Sequence, residues 1–395
     1  MSTKHPPKSR FMMEVWRSFY RECRRISHSR WDMFGVFGIP LLVVVLFGSM
    51  FIHTKAEHLP IMIIDRDHSE LSATIIDHAR ANQQLEVIAV MSDQATVEQA
   101  INTLEIGGYL YIPHHAQYHL VNGEDPQIQL VYNQALYSMA TGISTALRSA
   151  VLTGMQAFIS ESYLVNTLPK FEVPLPTIKT VVLFNPNLSY ELFLSPFVLT
   201  AVLHLLLSCQ VAYAVGIEFA DDTISSWLTK TPMAALIGKI MPYLLSICLW
   251  TWLWLMWMVW VRDYAVMGSI GWLLSGQVVF YLAYAFFGAL IALAVRSANK
   301  SFGILAVYGG SSMSFAGVTL PLNNASGFTQ FWSHILPFSS YAQLQTQSWI
   351  IASPWQAMLP NLLNLLIFLM LFVGLCMRLL KKRTPHIALS PDAYD

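Results

Sequence analysis

The feature that most constrains this chain is a set of long apolar segments with almost no charged side chains. An α-helix needs about 20 apolar residues to cross the hydrocarbon core of a bilayer, which is about 30 Å thick. Six segments reach this length: 33–52, 192–217, 240–261, 264–295, 301–320 and 359–380. The sequence therefore predicts an α-helical, polytopic membrane protein with six transmembrane helices.

The composition agrees with this prediction. Charged residues make up 12% of the 395 residues, against about 25% in a typical soluble domain. They are also segregated, because residues 301–377 contain no Asp, Glu, Lys or Arg, whereas residues 1–32 contain eight Lys or Arg. Nothing in this pattern suggests nucleic-acid binding, and we expect no nucleic-acid partner.

The distribution of basic residues predicts the orientation. Five arginines lie just before the first segment, and Lys55 and Arg66 follow it. Because positive residues accumulate on the cytoplasmic side, the N-terminus is expected in the cytoplasm. Six crossings return the C-terminal tail, 381–395, to the same side. The later basic residues then also lie there: Lys230, Lys239, Arg296, Lys300, Arg378, Lys381, Lys382 and Arg383.

Residues 53–189, between the first and second segments, are predicted to form an extracytoplasmic α/β domain. Strand-like runs lie at 59–65, 85–90, 108–112, 128–132 and 181–184. A helix capped by Ser69 and a helix over 93–104 alternate with them, which favours an α/β fold. Segment 135–159 is apolar along one face only, so we predict an amphipathic helix and not a seventh span.

Three histidines of this domain, His114, His115 and His119, are the nearest approach to a metal-ligand cluster. They lack the carboxylate partner and the helical spacing of a zinc protease motif. We therefore expect surface histidines in a loop and no metal site, with a ligand cluster as the alternative.

Residues 1–32 are predicted to contain a basic amphipathic helix before the first span (33–52). An apolar stripe that includes Trp16 is flanked by Arg17, Arg21, Arg24 and Arg25. Such a helix lies in the headgroup layer with its arginines near anionic lipids. The alternative is that it also contacts a cytoplasmic partner.

The loop 218–237 is acidic on the side where basic residues are expected. It begins with Glu218, and Asp221, Asp222 and Thr223 follow. We expect Asp221 or Asp222 to cap a short helix over 224–228, which would leave a face exposed for docking. A simply solvated loop is the alternative.

Two polar side chains lie inside the second span. His204 and Gln210 either line a path for a transported substrate or form hydrogen bonds between helices.

The chain has no glycine-rich phosphate-binding motif. Gly238 and Lys239 lack both the first glycine and the hydroxyl residue that such a motif requires. We therefore expect no cofactor in this chain and no enzymatic activity of its own.

Several motifs in order resemble a known family. They are Ile63 to Ser69, Asn185-Pro186-Asn187, Glu218 to Thr223, Lys230-Thr231-Pro232, Gly238-Lys239, Phe315 to Pro321 and Leu336 to Tyr341. Together with a single span followed by a large insertion, they resemble the permease subunits of the type-2 class of ATP-binding-cassette exporters. The resemblance covers nearly the whole chain.

This resemblance implies a multi-pass protein of the bacterial inner membrane, with segment 190–380 holding five spans. It implies a dimer of permeases, each docked on a cytoplasmic ATPase that binds ATP and Mg. The amphipathic helix and the loop at Glu218 would receive the movement of the ATPase. The connector 321–356 would be re-entrant, and the domain outside the membrane would meet a periplasmic adaptor protein.

One departure concerns the family pattern Glu-Arg-Glu-x-Gly-Thr in the loop. Glu218 and Thr223 match it, whereas Phe219, Ala220 and Asp222 do not. Both a homodimer and a heterodimer with a second permease therefore stay open.

Two other functional classes are considered. A secondary transporter or channel would show repeated halves or charges within the membrane. A membrane-anchored sensor would use the outer domain but would not need five further spans.

Overall fold

The computed structural model describes residues 7–50, 57–103, 105–133, 137–163, 189–228, 231–319, 322 and 325–387. Contacts divide the chain into a helical unit, Met1–His53 with Tyr190–Asp395, and an α/β unit, Thr54–Ser189. The described residues are mostly helical and contain one small sheet. To this extent the predicted fold class is confirmed.

The N-terminal part of the helical unit is a helix that breaks once before the first long apolar stretch. Helix α1 is Pro7–His28, α2 is Arg30–Met33, a π-helical turn covers Phe34–Gly38, and α3 is Ile39–Met50. The break lies at Ser29, whose backbone is extended (φ −106°, ψ 117°). Its hydroxyl accepts a hydrogen bond from the N–H of Asp32 at 3.1 Å, which caps α2. The amphipathic helix and the first span are therefore separate helices.

The buried face of α1 differs from the predicted apolar stripe. Val15, Ser18, Glu22 and Ile26 are buried, whereas Trp16 is 67% exposed. Two polar residues thus take the packing face, because they have partners in the neighbouring helices. The large apolar side chains at the start of the stripe face outward.

In the described part of the α/β unit, four strands form a sheet and helices lie between them in the chain. Its elements are β1 Leu59–Asp65, α4 Glu70–Ala81, β2 Leu85–Met91, α5 Gln94–Asn102, β3 Gly108–Ile112, α6 Ala116–Val121, β4 Gln129–Tyr132 and α7 Tyr137–Ala157. The strand order is β2-β1-β3-β4, with β4 antiparallel to β3 and the other pairs parallel. These strands match four of the predicted runs, and the run 181–184 lies outside the described residues.

The central strand β1 is buried on both faces, as its unbroken apolar sequence requires. Ile61 and Ile63 pack towards α4 and α7, where Ile143 of α7 is fully buried. Met62 and Ile64 point to the opposite face and pack with residues of α5. Helix α7 therefore covers the sheet with one face, which agrees with an amphipathic helix in place of a seventh span.

Acidic side chains order the turn after β1. Asp65 accepts hydrogen bonds from the N–H groups of Asp67 and His68 at 3.0 and 3.1 Å. Ser69 caps α4 in a capping box with Ser72. The carboxylates at this strand end thus hold a turn.

The rest of the helical unit follows the α/β unit in the chain. Its elements are α8 Tyr190–Phe193, α9 Ser195–Ala220, α10 Ile224–Trp227, α11 Pro232–Trp260, α12 Ile270–Val295, α13 Ala298–Gly310, α14 Gly327–Ile335, α15 Pro337–Thr346, a π-helical turn Gln347–Ile351 and α16 Trp355–Ile387.

Among the described residues, five helices are long and apolar enough to cross a membrane. They are Arg30–Met50, Ser195–Ala220, Pro232–Trp260, Ile270–Val295 and Trp355–Lys382. The predicted span 301–320 differs. Its helix α13 has 13 residues and is about 20 Å long. It ends at Gly310 and passes into turns up to Gly317, whose φ is +76°. Small residues favour turns here despite the high hydropathy. This segment therefore does not form a sixth helix of the same length as the other five.

Two central helices of the bundle approach each other closely at a glycine. Gly288 of α12 lies against the backbone of Ser208 in α9, and a Cβ there would overlap the Ser208 carbonyl oxygen and lie 3.0 Å from its Cα. Ser208 also donates a hydrogen bond to the carbonyl of Tyr284 at 3.1 Å. Small residues allow such close backbone packing between apolar helices.

The replacement Gly288→Ala is expected to destabilise the protein by about 1–3 kcal/mol, because the added methyl meets backbone that cannot rotate away. The matched control is Gly374→Ala in α16, where a Cβ meets no atom within 4 Å. That change should be neutral or stabilising by up to about 1 kcal/mol, since alanine has the higher helix propensity. Thermal unfolding of the purified chain measures both, and equal shifts would contradict the close contact.

Candidate functional site

A buried lysine joins three segments that are distant in the sequence. Lys239, in the second turn of α11, has a side chain only 2% exposed. Its ammonium lies 2.6 Å from Glu22 Oε2 of α1 and 2.6 Å from Glu218 Oε1 of α9. Both carboxylates are also buried. A charge at this depth is tolerated only when it is paired and hydrogen-bonded.

A second set of groups satisfies the remaining oxygens of the two carboxylates. Arg21 lies 2.9 Å from Glu218 Oε2, and Arg25 lies 2.7 Å from Glu22 Oε1. The hydroxyl of Thr223 donates to Glu218 Oε2 at 2.6 Å, and that of Tyr243 donates to Glu22 Oε1 at 2.5 Å. We call these residues, with Glu22, Glu218 and Lys239, the charge network.

Burial of the Arg25 guanidinium acts against its charge. The adjacent Tyr243 and Glu22 outweigh this and raise the pKa of Arg25 above its ordinary value. The arginine is therefore a permanent cation of the network.

The short helix α10 is tied to the same place. The indole N–H of Trp227 donates to Ser18 Oγ at 3.2 Å, and Ser18 donates to the carbonyl of Ala235 at 2.6 Å. The Lys239 ammonium lies 5.0 Å from the centre of the Trp227 ring, within the range of a cation–π interaction. The loop after α9 is thus attached to α1 and α11 through buried groups.

A glycine sets the distance between α1 and α11. A Cβ at Gly238 would overlap the carbonyl oxygen of Val15 and lie 2.8 Å from Ser18 Cβ. Only glycine permits this approach, which brings Glu22 within reach of Lys239.

The structure brings some of the predicted site residues together and separates others. Glu218, Thr223, Arg21 and Arg25 belong to the charge network. Exposed positions hold the remaining predicted residues of this region: Trp16, Arg17, Arg24, Asp221 and Asp222. The expected cap from Asp221 or Asp222 is wrong, because Thr223 occupies the N-cap position of α10 without a side-chain cap bond. The Thr223 hydroxyl bonds to Glu218 instead.

Sequence reasoning missed Glu22, Tyr243 and the pairing of Lys239. The available signal was an acid, Glu22, directly beside Arg21 in α1, and a lysine followed by apolar residues. Intramembrane or near-membrane charges usually have a specific partner.

The two polar residues of the second span lie in different surroundings. His204 is fully buried between Tyr284, Phe280 and Phe338, with ring centres at 4.1, 5.5 and 5.5 Å. Its Nδ1 is 3.0 Å from the carbonyl of Thr200, and its Nε2 has no partner among the described residues. Gln210 donates to the carbonyl of Gly35 at 2.7 Å.

Another buried carboxylate, Glu191, anchors the opposite ends of α9 and α11. Glu191 of α8 accepts hydrogen bonds from Arg262 at 2.7–3.1 Å and from the hydroxyl of Tyr264 at 2.9 Å. Hydrogen bonding to Glu191 raises the pKa of Arg262. The two helices are therefore held at both ends by buried ionic groups.

The replacement Lys239→Met is expected to destabilise the protein by about 3–5 kcal/mol, because it leaves two carboxylates buried with one cation fewer. Adding Glu22→Gln should recover part of the loss, since Glu218 keeps Arg21. The matched control is Lys300→Met at an exposed position of α13, which should change stability by less than about 1 kcal/mol. Thermal unfolding in detergent measures the series, and a neutral Lys239→Met would contradict the paired state of the lysine.

Comparison with known proteins gives one family. The family model described as "ABC-2 family transporter protein" matches residues 30–378. A search of curated proteins gives no significant match. The match begins with the first residue of α2. It includes four of the five long apolar helices completely and the fifth, Trp355–Lys382, up to residue 378. The chain is therefore a multi-pass membrane protein that belongs to the ABC-2 transporter family.

Proposed function

We propose that this chain is the membrane-spanning permease subunit of an ATP-driven exporter, and that a separate cytoplasmic ATPase supplies the energy. The observation that carries the proposal is the charge network. It fastens α1, the end of α9 and the start of α11 to one buried lysine. A permease driven by a partner needs such a junction, because force applied to a loop must reach several helices at once.

The loop after α9 is suited to receive that force. Asp221 and Asp222 are exposed at its tip, and Ser225 and Ser226 of α10 are exposed beside them. Only two residues separate Asp221 from Glu218 along the chain, and Trp227 bonds directly to Ser18 of α1. A displacement of α10 would therefore be transmitted to α1 through Trp227 and Ser18, and to α9 and α11 through the hydrogen bonds of Thr223, Glu218 and Lys239.

The lack of a phosphate-binding motif supports a partner ATPase. Gly238 packs against α1, and the ammonium of Lys239 forms ion pairs with two carboxylates. Neither is free to bind a nucleotide phosphate. ATP and Mg would then bind to the partner, and this chain would have no catalytic activity of its own.

The proposed topology has both termini in the cytoplasm of a bacterial cell and the α/β unit outside the inner membrane. The basic residues before α3 and at the end of α16 favour this orientation. A sixth crossing would be made by α13 with the turns that follow it. Helices α14 and α15 would then form the re-entrant connector, and α15 is mostly buried despite its polar residues.

The expected partners follow from the same scheme. A second permease, identical or related, would complete the transport path, and a periplasmic adaptor is a candidate for the α/β unit. His204 stays a prediction for the path. It does not line the cavity of about 360 Å³ that Phe197, Ala316, Gln343 and Gln347 help to form.

Reversing the charges of the loop tip tests the coupling. The double change Asp221→Lys and Asp222→Lys should lower substrate-stimulated ATPase activity and transport by about tenfold. It should leave thermal stability unchanged, because both side chains are exposed and lie outside the charge network. The matched control is Glu70→Lys with Asp77→Lys in the α/β unit. Equal transport by the loop variant and the control would count against docking at this loop.

Impermeant thiol labelling of intact cells tests the topology. On a background without the native cysteines, single cysteines replace the exposed residues Ser92, Asn122 and Ser226. The first two should react from outside and the third only after the membrane is opened. Labelling of Ser226→Cys in intact cells would refute the orientation.

A further inference from the structure

The cavity of about 360 Å³ is bounded by residues of α8, α9 and α15 and of the turns after α13. Its lining includes Phe193, Phe197, Gln343 and Gln347. The ring centres of the two phenylalanines are 6.5 Å apart. Small-molecule sites in proteins typically measure about 300–1,000 Å³. The cavity therefore has room for a small molecule or for one end of a larger one.

The cavity and the charge network lie at opposite ends of α9. Phe197 is in the first turn of this helix, and Glu218 is in its last turn. The helix has 26 residues and is therefore about 39 Å long. In the proposed topology the charge network lies on the cytoplasmic side. The cavity then lies towards the outer side, where an exported molecule leaves.

Gln343 differs from its neighbours on α15. Eight of the ten residues of this helix are buried, and the two that are not, Gln343 and Thr346, both line the cavity. The Gln343 amide has no hydrogen-bond partner among the described residues. One turn further along, Gln347 Oε1 accepts a hydrogen bond from Asn361 at 3.1 Å, which leaves its Nε2 without a partner among those residues. The lining therefore contains two amide groups with unused donors.

The described residues that line the cavity carry no formal charge. Glu191, which is close by in the sequence, is buried and pairs with Arg262 at 2.7 Å. An ion in the cavity would lose water without gaining a counter-ion, and this is costly in apolar surroundings. The Phe193 side chain is 41% exposed and offers an aromatic surface to a neutral group. The lining therefore favours a neutral ligand with one apolar and one hydrogen-bonding part.

Resting on the export function proposed above, we propose that this cavity binds the exported molecule and that this molecule is neutral and amphipathic. Its apolar part, an aromatic or other ring system, packs on Phe193. Its polar part, a carbonyl or hydroxyl oxygen, accepts hydrogen bonds from the amides of Gln343 and Gln347. These three residues would then determine which substrates are accepted.

Photolabelling of the purified full-length chain tests this ligand class. The probe is 4-benzoylbenzamide, a neutral diaryl ketone that inserts into nearby C–H bonds under ultraviolet light. The matched ions are 4-benzoylbenzoate and (4-benzoylbenzyl)trimethylammonium. Mass spectrometry of peptides counts the label on 190–197 and 337–351, relative to 360–380 of α16 to correct for uptake into detergent. We expect about tenfold more label from the neutral probe than from either ion, because neither ion finds a counter-charge.

Three variants and one control locate the contact. Gln343→Leu and Gln347→Leu should each lower labelling by the neutral probe about three- to tenfold, the effect of one lost hydrogen bond. Gln343→Arg should raise labelling by 4-benzoylbenzoate about tenfold, because it supplies a counter-charge. Gln356→Leu, at an exposed position of α16 that does not line the cavity, should change neither. Since Gln347 also holds Asn361, Gln343→Leu carries the test if Gln347→Leu fails to fold.

Equal labelling by the neutral and the charged probes would overturn the proposed ligand class. Unchanged labelling of Gln343→Leu would do the same, and the cavity would then take an apolar chain only. Because photolabelling needs no ATPase, either failure leaves the export function standing.

Efflux of 4-benzoylbenzamide from cells that carry the complete exporter tests the step from ligand to substrate. We expect ATP-dependent efflux that falls about three- to tenfold in Gln343→Leu, in parallel with the labelling. Labelling of the cavity without such efflux would overturn its role as a substrate site. A chain that is labelled as expected but assembles with no ATPase would instead remove the export function itself.

Discussion

The helical unit depends on the buried contact between Lys239 and the carboxylates of Glu22 and Glu218. Removing three charged groups from water is expensive, and well-packed apolar side chains would often be at least as stable. What an ionic contact adds is a fixed register. Moving α1 along α11 by one helical turn, about 5.4 Å, would separate Glu22 from Lys239. Each side chain would then be buried without the other as its ion-pair partner. The arrangement of α1 on the bundle is therefore specified by a large penalty against its alternatives.

The same contact explains why α1 has two unlike faces. Its packing face carries Ser18 and Glu22, which are polar but fully partnered inside the protein. Its outer face carries Trp16 and Tyr20, each 67% exposed. A helix with partnered polar residues on its inner side and bare aromatic rings on its outer side fits the boundary between a membrane and water. Hydrophobic periodicity alone does not predict that Ser18 and Glu22 lie on the packing face.

Local patterns in the sequence predicted much of the fold. The strand at 59–65, the cap at Ser69 and the helix after Asp93 were visible because each depends on neighbouring residues. The helix at 301–320 is shorter than its hydropathy predicts, because it ends at Gly310. The charge network could not be derived, because 217 positions separate Lys239 from Glu22 and no periodicity relates them. Glu218 and Thr223 were indicated by the acidic start of their loop and by the resemblance to a family, whereas their structural partners were not.

The close approach at Gly238 has a mechanical consequence. The backbone of α1 there rests directly on α11, with no side chain between them to bend or change rotamer. Together with the ionic contact one turn away, this makes the two helices a single rigid unit. Between these two helices and the first span lie two irregular points of the chain, the extended residue Ser29 and the π-helical turn Phe34–Gly38. A movement of α1 together with α11 would then change the tilt of the first span at these two points.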